Sequence, residues 1–391
     1  MKPFSEKTER LILYAILGLA LALRITAAII IPDQSHALVD AVAYRESAAQ
    51  LFKTGQLSNL FQMPLYPLLI AITGPGIGQL MTDIALAVLS VWLVYALADQ
   101  LFADQHARLF AAVAGACYPP LIFFAVVGLS ETLFITLVLA AFLFWYRSHF
   151  NAAAVIAVLA VLTRPVFDLF APFLVLLFAL VVHRLPMGKA LRHLGTYIVV
   201  YGMLMTPWWI HNYRAYGTFV RLTAGAGTAL YAGNNPLNRS GGGNLGEDYD
   251  LGAFARIHDP IERDRALRNA AADYILNNPR RFLELAGLKF SRMWRLAPYN
   301  ETYRSVGTIV VSIVSFVPIL LLAGIGLFAQ RRRLHRVSPV LFFGLGYTAV
   351  HMILVGTIRY RLPLEPFFII FAGAGFRSLI PPRKPAPAGK L

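Results

Sequence analysis

The sequence predicts an α-helical polytopic membrane protein with about ten transmembrane helices, interfacial helices in the first outer loop and a small mixed outer domain. Three observations carry that expectation. Hydrophobic residues make up 58% of the 391 positions and charged residues only 14%, more apolar surface than a water-soluble fold could hide. Apolar runs of spanning length recur along almost the whole chain, so the reading does not rest on one segment. The Lys and Arg residues sit mostly between those runs, so the net charge of +15 fits membrane topology better than a nucleic-acid partner.

The requirement for about 20 apolar residues per span gives helices at 11–32, 77–101, 107–127, 130–147, 150–163, 166–183, 192–210, 305–329, 338–357 and 363–380. The first is read as a retained helix, because no small-residue cleavage site follows it. Residues 64–76 read as a re-entrant piece leading into the second span. With the N-terminus inside, the inner segments collect most of the basic residues, among them Arg108, Arg147, Arg184, Arg331, Arg332, Arg333 and Arg377. That bias puts both termini in the cytoplasm.

Two outer segments are long. In the first, 33–64, residues 41–54 carry Tyr44, Ala48, Leu51 and Phe52 on one helical face and Glu46, Gln50 and Lys53 on another, with Gly55 as the stop. The helix is too short and polar to span, so it lies at the interface. The second, 211–304, opens rich in Gly and Asn and contains two β-prone pieces, Thr218–Leu222 and Thr228–Tyr231. It continues as two helices parted by Asn277-Asn278-Pro279. The later one, 280–295, sets Phe282, Ala286, Phe290, Met293 and Trp294 against Arg280, Arg281, Lys289, Arg292 and Arg295. That pattern suits an interfacial anchor or a helix packed on the protein body. The domains are therefore 1–210, 211–304 and 305–391. No internal repeat is visible, and the single cysteine, Cys117, excludes an intramolecular disulfide or a multi-cysteine metal site.

Charge within or at the edge of a span is costly, so each case needs a partner or a purpose. The set is Arg24, Asp83, Glu131, Arg164, Asp168, His351, Arg359, Arg361 and Glu365. With that topology, all fall in the outer half of a span or just beyond it. Arg24 is expected to snorkel or to pair with Asp83. Arg164 and Asp168 are four apart, the spacing of a pair on one helix face. Arg359 and Arg361, just before Pro363, are expected in an extended stretch with both side chains facing one way. The shared depth describes a polar chamber opening outward above apolar walls, suited to a substrate with a lipid tail and a phosphate.

Six stretches resemble one family in order and spacing: Asp40-Ala-Val-Ala-Tyr44, Met63-Pro-Leu-Tyr-Pro67, Ser130-Glu131, Leu162-Thr-Arg-Pro165, Thr206-Pro-Trp-Trp-Ile-His-Asn-Tyr213 running on to Tyr231-Ala-Gly-Asn-Asn-Pro236, and Arg359-Tyr-Arg-Leu-Pro363. The chain resembles the GT-C superfamily of membrane glycosyltransferases, on its bacterial branch related to the protein O-mannosyltransferases. It departs at Ala41, where an acidic pair is common, and at His211, where Arg is usual. The resemblance implies an inverting enzyme of the bacterial plasma membrane. Such an enzyme takes a sugar from a polyprenyl-phosphate donor and gives it to a glycan, lipid or protein acceptor on the outer face. It implies Asp40 as catalytic base, with Asp33 and Glu131 as competitors. It implies Arg359 and Arg361 on the donor phosphate, with Arg164 and His211 as further candidates, and Tyr44, Glu131 and Tyr66 in the substrate site. It implies no cofactor; a divalent metal is compatible, but no residue pattern points to one. The competing classes are a lipid-linked glycan ligase or polymerase, a lipid flippase or transporter, which would favour midplane charges and repeated halves, and a scaffold without activity.

Overall fold

The computed structural model describes residues 4–31, 38–55, 57, 60–297 and 305–380. It is helical nearly throughout. The N-terminal part contains α1 (Glu6–Ile30), α2 (Val39–Thr54), α3 (Leu65–Thr73), α4 (Ile77–Phe102), α5 (Gln105–Cys117), α6 (Pro119–Phe124), α7 (Glu131–Tyr146), α8 (Phe150–Thr163), α9 (Ala171–Leu177) and α10 (Met187–Tyr216). The remainder contains α11 (Ala226–Gly233), α12 (Pro260–Asn277), α13 (Pro279–Met293), α14 (Val306–Ala329), α15 (Leu334–Ile353), α16 (Ile358–Arg361) and α17 (Glu365–Leu379). Local chemistry sets several boundaries. Ser5, Asp104 and Ser305 each accept a backbone N–H in the first turn of α1, α5 and α14. Gly55 closes α2 with φ of 69°, a conformation that glycine adopts without penalty.

Among the described residues, four segments are long and apolar enough to cross a membrane: Glu6–Ile30, Ile77–Phe102, Val306–Ala329 and Ile358–Leu379. Their outward faces leave Ile29, Ile77, Val306, Leu321 and Phe328 exposed, the pattern of helices that face lipid. Other expected spans differ in form. The span expected at 107–127 is broken at Tyr118, because Pro119 and Pro120 lack the N–H groups that would continue α5. The span at 166–183 starts as a 3₁₀ turn at Pro165 and ends in a π turn, Phe178–Val182. By contrast α10 runs to Tyr216, past the expected end at 210, with Pro207 inside it.

The β-prone pieces do not form strands, and no named strand occurs among the described residues; an isolated bridge joins Leu245 and Tyr249. Thr228–Tyr231 lies inside α11. Thr218–Leu222 folds back on the end of α10, where Trp208 Nε1 donates to Leu222 O (2.7 Å), Trp209 Nε1 to Arg221 O (2.9 Å) and Asn212 Nδ2 to Val220 O (3.3 Å). Side-chain donors on α10 satisfy this backbone, so no partner strand is needed.

An aromatic core joins α7, the π turn after α9, α15 and α17. Phe142 packs against Trp145, Phe178, Phe343 and Phe367 at ring separations of 4.9–5.9 Å. Charged groups gather at the two ends of this bundle. At one end Arg108 binds Glu9 (2.5 Å) and Asp99, and Arg377 binds Asp104 (2.9 Å). The opposite end, where α7 begins and α8 and α15 end, holds the groups considered below.

α14 and α17 meet backbone to backbone. A Cβ on Gly326 would lie 2.0 Å from Phe371 O, and one on Gly375 would lie 2.0 Å from Leu322 O. Small residues allow this approach, which drives helix association where lipid removes the hydrophobic term. A Cβ on Gly324, also in α14, meets nothing within 4 Å. Gly326→Ala should therefore lower the stability of the purified protein by about 1–3 kcal/mol, read as a drop in thermal midpoint, while Gly324→Ala leaves it unchanged. Equal midpoints for the two variants would contradict this packing.

Candidate active site

Glu131 opens α7, where a carboxylate gains from the helix dipole. It is fully buried and held by two arginines from distant parts of the chain. Arg164 Nη1 lies 2.8 Å from its Oε1, and Arg359 Nε donates to the same oxygen. Arg359 Nη1 in turn lies 2.5 Å from Asp40 Oδ2. The result is a chain of alternating charge, Asp40–Arg359–Glu131–Arg164. Asp40 forms its open end, with its side chain 52% exposed.

Local sequence puts each member there. Pro165 disfavours helix at the residue before it, so α8 stops and Arg164 turns out with φ −142° and ψ 119°. Thr357 accepts from Arg359 N (3.2 Å) and starts the single turn of α16. Gly356 precedes it in a gap that a Cβ would close, 2.2 Å from Lys289 O. Lys289 donates to Asn234 Oδ1 and Ile353 O, both at 2.9 Å, so α13 grips the turn that presents Arg359. Lys289 thus lies on the buried face of α13, not on its solvent side as the periodicity suggests, and burial pushes its ammonium down to about 7. Asp40 stands in the first turn of α2, and that helix has no side-chain cap. The capping role its position allows is therefore not the one it takes.

The other expected residues divide. Tyr44 is buried beside the chain of charges. Its OH donates to Ser130 Oγ (2.9 Å), and burial pushes its phenol up, so it stays a neutral donor. Tyr66 packs edge-on against Tyr44 but is itself fully buried, its OH on Asp83 Oδ2 at 2.7 Å. Arg361 points elsewhere, not alongside Arg359. The turn at 358–361 is helical, and Arg361 is buried with Glu365 (2.8 Å), the Arg295 carbonyl (2.8 Å) and the Phe316 ring, 3.6 Å away. His211 stacks on Trp208 (5.5 Å) on α10, and no described hydrogen bond joins it to the chain of charges. Asp33 lies outside the described residues.

Two expected pairs are replaced. Arg24 does not reach Asp83; it is fully buried and donates to Ala20 O (3.0 Å), Ala116 O (3.1 Å) and Gly115 O (3.4 Å), the last carbonyls of the broken α5 among them. Arg164 does not pair with Asp168, because Pro165 breaks the helix that would align them; Asp168 binds Arg221 instead, at 2.6 Å.

Beside Arg164 the wall continues in aromatic rings. The Arg164 guanidinium lies 5.9 Å from the Tyr360 ring, His351 stacks on Tyr360 at 4.3 Å, and Tyr347 lies 4.7 Å from His351. Charge alone singles out His351 in the sequence; nothing there brings out Tyr347 or Tyr360, which sit in ordinary apolar contexts. Among the described residues no three His, Cys, Asp or Glu side chains cluster so as to hold a metal ion. The arrangement can do two things side by side: hold an anion through guanidinium groups and offer a carboxylate to a proton.

No protein-family model matches the sequence, and no curated protein matches it. Solved structures do match its fold. The apo oligosaccharyltransferase of Archaeoglobus fulgidus aligns with a TM-score of 0.56 at 11% identity, over 94% of this chain and 50% of that one. ArnT from Cupriavidus metallidurans in the apo state aligns with 0.56 at 14% identity, over 95% of this chain and 60% of that one. The archaeal oligosaccharyltransferase AglB from Archaeoglobus fulgidus, in complex with an inhibitory peptide and a dolichol-phosphate, aligns with 0.51 at 11% identity, over 95% and 52%. The chain shares the fold of these proteins and spans half to three-fifths of their length.

Removing Glu131 would leave two arginines without their shared partner in an apolar bundle, a change that costs about 3–5 kcal/mol for a buried pair. Glu131→Gln should lower the thermal midpoint sharply. Adding Arg164→Met should recover part of the loss, because the second change removes the charge that the first left unpaired. Additive losses would show that the pair carries no coupling.

Proposed function

We propose, on the premise of the GT-C fold, that the protein is an inverting glycosyltransferase moving a sugar from a polyprenyl-phosphate-linked donor to an acceptor on the outer face of the membrane. One observation carries the reading: a half-exposed carboxylate, Asp40, stands 2.5 Å from a guanidinium, Arg359, that buried Glu131 holds in place. Base and phosphate-binding cation are the two groups that glycosyl transfer from a lipid phosphate requires. The dolichol-phosphate in the AglB complex supports the same donor class.

In this mechanism the donor phosphate enters against Arg359 and competes with Asp40 for its guanidinium. Arginine suits the task, because its fork donates two charge-assisted hydrogen bonds to one anion. Asp40 is then open to the acceptor hydroxyl. The acceptor oxygen attacks the anomeric carbon from the face opposite the phosphate, Asp40 takes the hydroxyl proton, and the bond from the anomeric carbon to the phosphate oxygen breaks. Polyprenyl phosphate leaves with the electron pair, its charge met by Arg359 and, across Glu131, by Arg164. The configuration inverts in one displacement.

About ten spans, cytoplasmic termini and an outer domain at 211–304 in a bacterial plasma membrane belong to the same proposal, and the distribution of basic residues supports them. Glu247→Cys should react with an impermeant maleimide added outside cells, and Arg332→Cys should not, in a Cys117→Ala background; the reverse pattern would invert the topology.

Asp40→Asn keeps the shape of the residue but cannot take a proton. It should abolish sugar transfer while donor binding and melting stay normal. Arg359→Lys keeps the charge and loses the fork, so donor affinity should fall by about tenfold, the worth of one charge-assisted hydrogen bond. Near-normal transfer by Asp40→Asn would move the base elsewhere.

A further inference from the structure

A cavity of about 150 Å³ opens beside Arg164. Its lining includes Arg164, Ala229, Tyr347, His351, Val355 and Tyr360. At ~10–15 Å³ for each water-sized site, that is room for about ten such sites, the size of a single sugar ring rather than of an oligosaccharide.

His351 is the informative member. It is 94% buried, at 6% exposure. Its ring stacks on Tyr360 at 4.3 Å and 17°, and the Tyr347 ring lies tilted against it at 4.7 Å. Neither Nδ1 nor Nε2 makes a hydrogen bond of good geometry among the described residues, the backbone of Val355 being a weak polar neighbour of the ring. A buried polar group without a partner is costly and calls for one. A neutral imidazole offers one donor and one acceptor in the plane of its ring. Hydroxyl groups, which donate and accept, answer both. The flanking aromatic rings offer flat apolar walls of the kind that the C–H faces of a sugar cover.

The charge of the lining narrows the ligand further. Among the described residues that line it, Arg164 is the only charged one, and that charge is already met by Glu131. None of the described residues lining the cavity is acidic, so an ammonium group buried among them would lack a counter-ion. A carboxylate would compete with Glu131 for Arg164 and add to the charge of the donor phosphate.

We infer that this cavity takes the sugar ring of the donor, that the ring is an uncharged monosaccharide, and that His351 reads one or two of its hydroxyl groups. The inference rests on the glycosyltransferase reading above and adds the class of sugar and a specificity-determining residue. The phosphate sits at Arg359, the anomeric carbon lies between Arg359 and Arg164, and the ring extends past Arg164 toward His351.

The test is binding to the full-length protein in lipid nanodiscs. The probes are citronellyl phosphate and its mannosyl, glucosyl, glucosaminyl and glucuronyl esters. At least one neutral ester should bind about tenfold more tightly than citronellyl phosphate itself, and the glucosaminyl and glucuronyl esters should show no such gain. His351→Phe keeps an aromatic ring and removes both nitrogens. It should cut the gain of the neutral ester by about five- to tenfold and leave the affinity for citronellyl phosphate unchanged. His351→Gln, which restores a donor and an acceptor, should recover part of the gain. The inference is overturned if His351→Phe keeps the full gain, if it weakens both probes equally, or if the amino or acidic ester binds as tightly as the neutral ones. The first of those outcomes would mean that the sugar is held without His351. If citronellyl phosphate does not bind the wild-type protein at all, the donor-class reading fails and this inference falls with it. Binding without any sugar gain sinks the sugar cavity alone.

Discussion

A carboxylate with no exposure to water, Glu131, is the constraint on which the site depends. In an apolar bundle the cost of stripping water from an ion is several kcal/mol, and attraction at close range offsets it only when partners are well placed. Here the partners are Arg164 at the end of α8 and Arg359 in the turn of α16. Satisfying one buried ion therefore sets the relative depth of three chain segments far apart in sequence. Asp40 adds a fourth, because Arg359 reaches it from the same guanidinium. The order of a reactive site is in this sense a product of electrostatic necessity in the fold.

The surrounding structure keeps that arrangement from relaxing. The turn at 353–357 is held by Lys289 through Asn234 and Ile353, and Arg292 Nε lies 3.3 Å from Gly356 O. Close backbone approach at Gly233, where a Cβ would come within 1.7 Å of Leu354 O, leaves little room for movement. Below the site, the interlocked rings of Phe142, Phe178, Phe343 and Phe367 fill the bundle, and the next charged cluster, around Glu9 and Arg108, lies at the far end. Polar ends and an apolar middle are what a bilayer demands of a bundle.

Much of this was legible in residue patterns, and the failures have identifiable physics. The helix expected at 150–163 is Phe150–Thr163, and the one expected at 41–54 is Val39–Thr54, stopped by Gly55 as its backbone freedom suggests. Local periodicity sufficed there because no long-range contact opposes it. Pairing was less legible. The four-residue spacing of Arg164 and Asp168 implies a helical pair, but Pro165 breaks that geometry and sends each to a distant partner. Arg359 and Arg361 look equivalent in sequence, yet a helical turn in place of an extended one separates them, one toward Glu131 and one toward Glu365. Lys289 looked like a solvent-facing residue, because periodicity does not reveal that two acceptors, Asn234 and Ile353, wait on the inner side. The β-prone run at 228–231 became helix because no partner strand was available to it.

The central claim is that Arg359, fixed by Glu131, exchanges Asp40 for the donor phosphate. The most direct measurement is a cryo-EM structure of the full-length protein with a polyprenyl phosphate bound. The account predicts phosphate density against the Arg359 guanidinium, the Arg359–Glu131 pair intact, and the Asp40 carboxylate released from Arg359 and facing open space. Phosphate bound away from Arg359, with the Asp40–Arg359 pair unbroken, would contradict it.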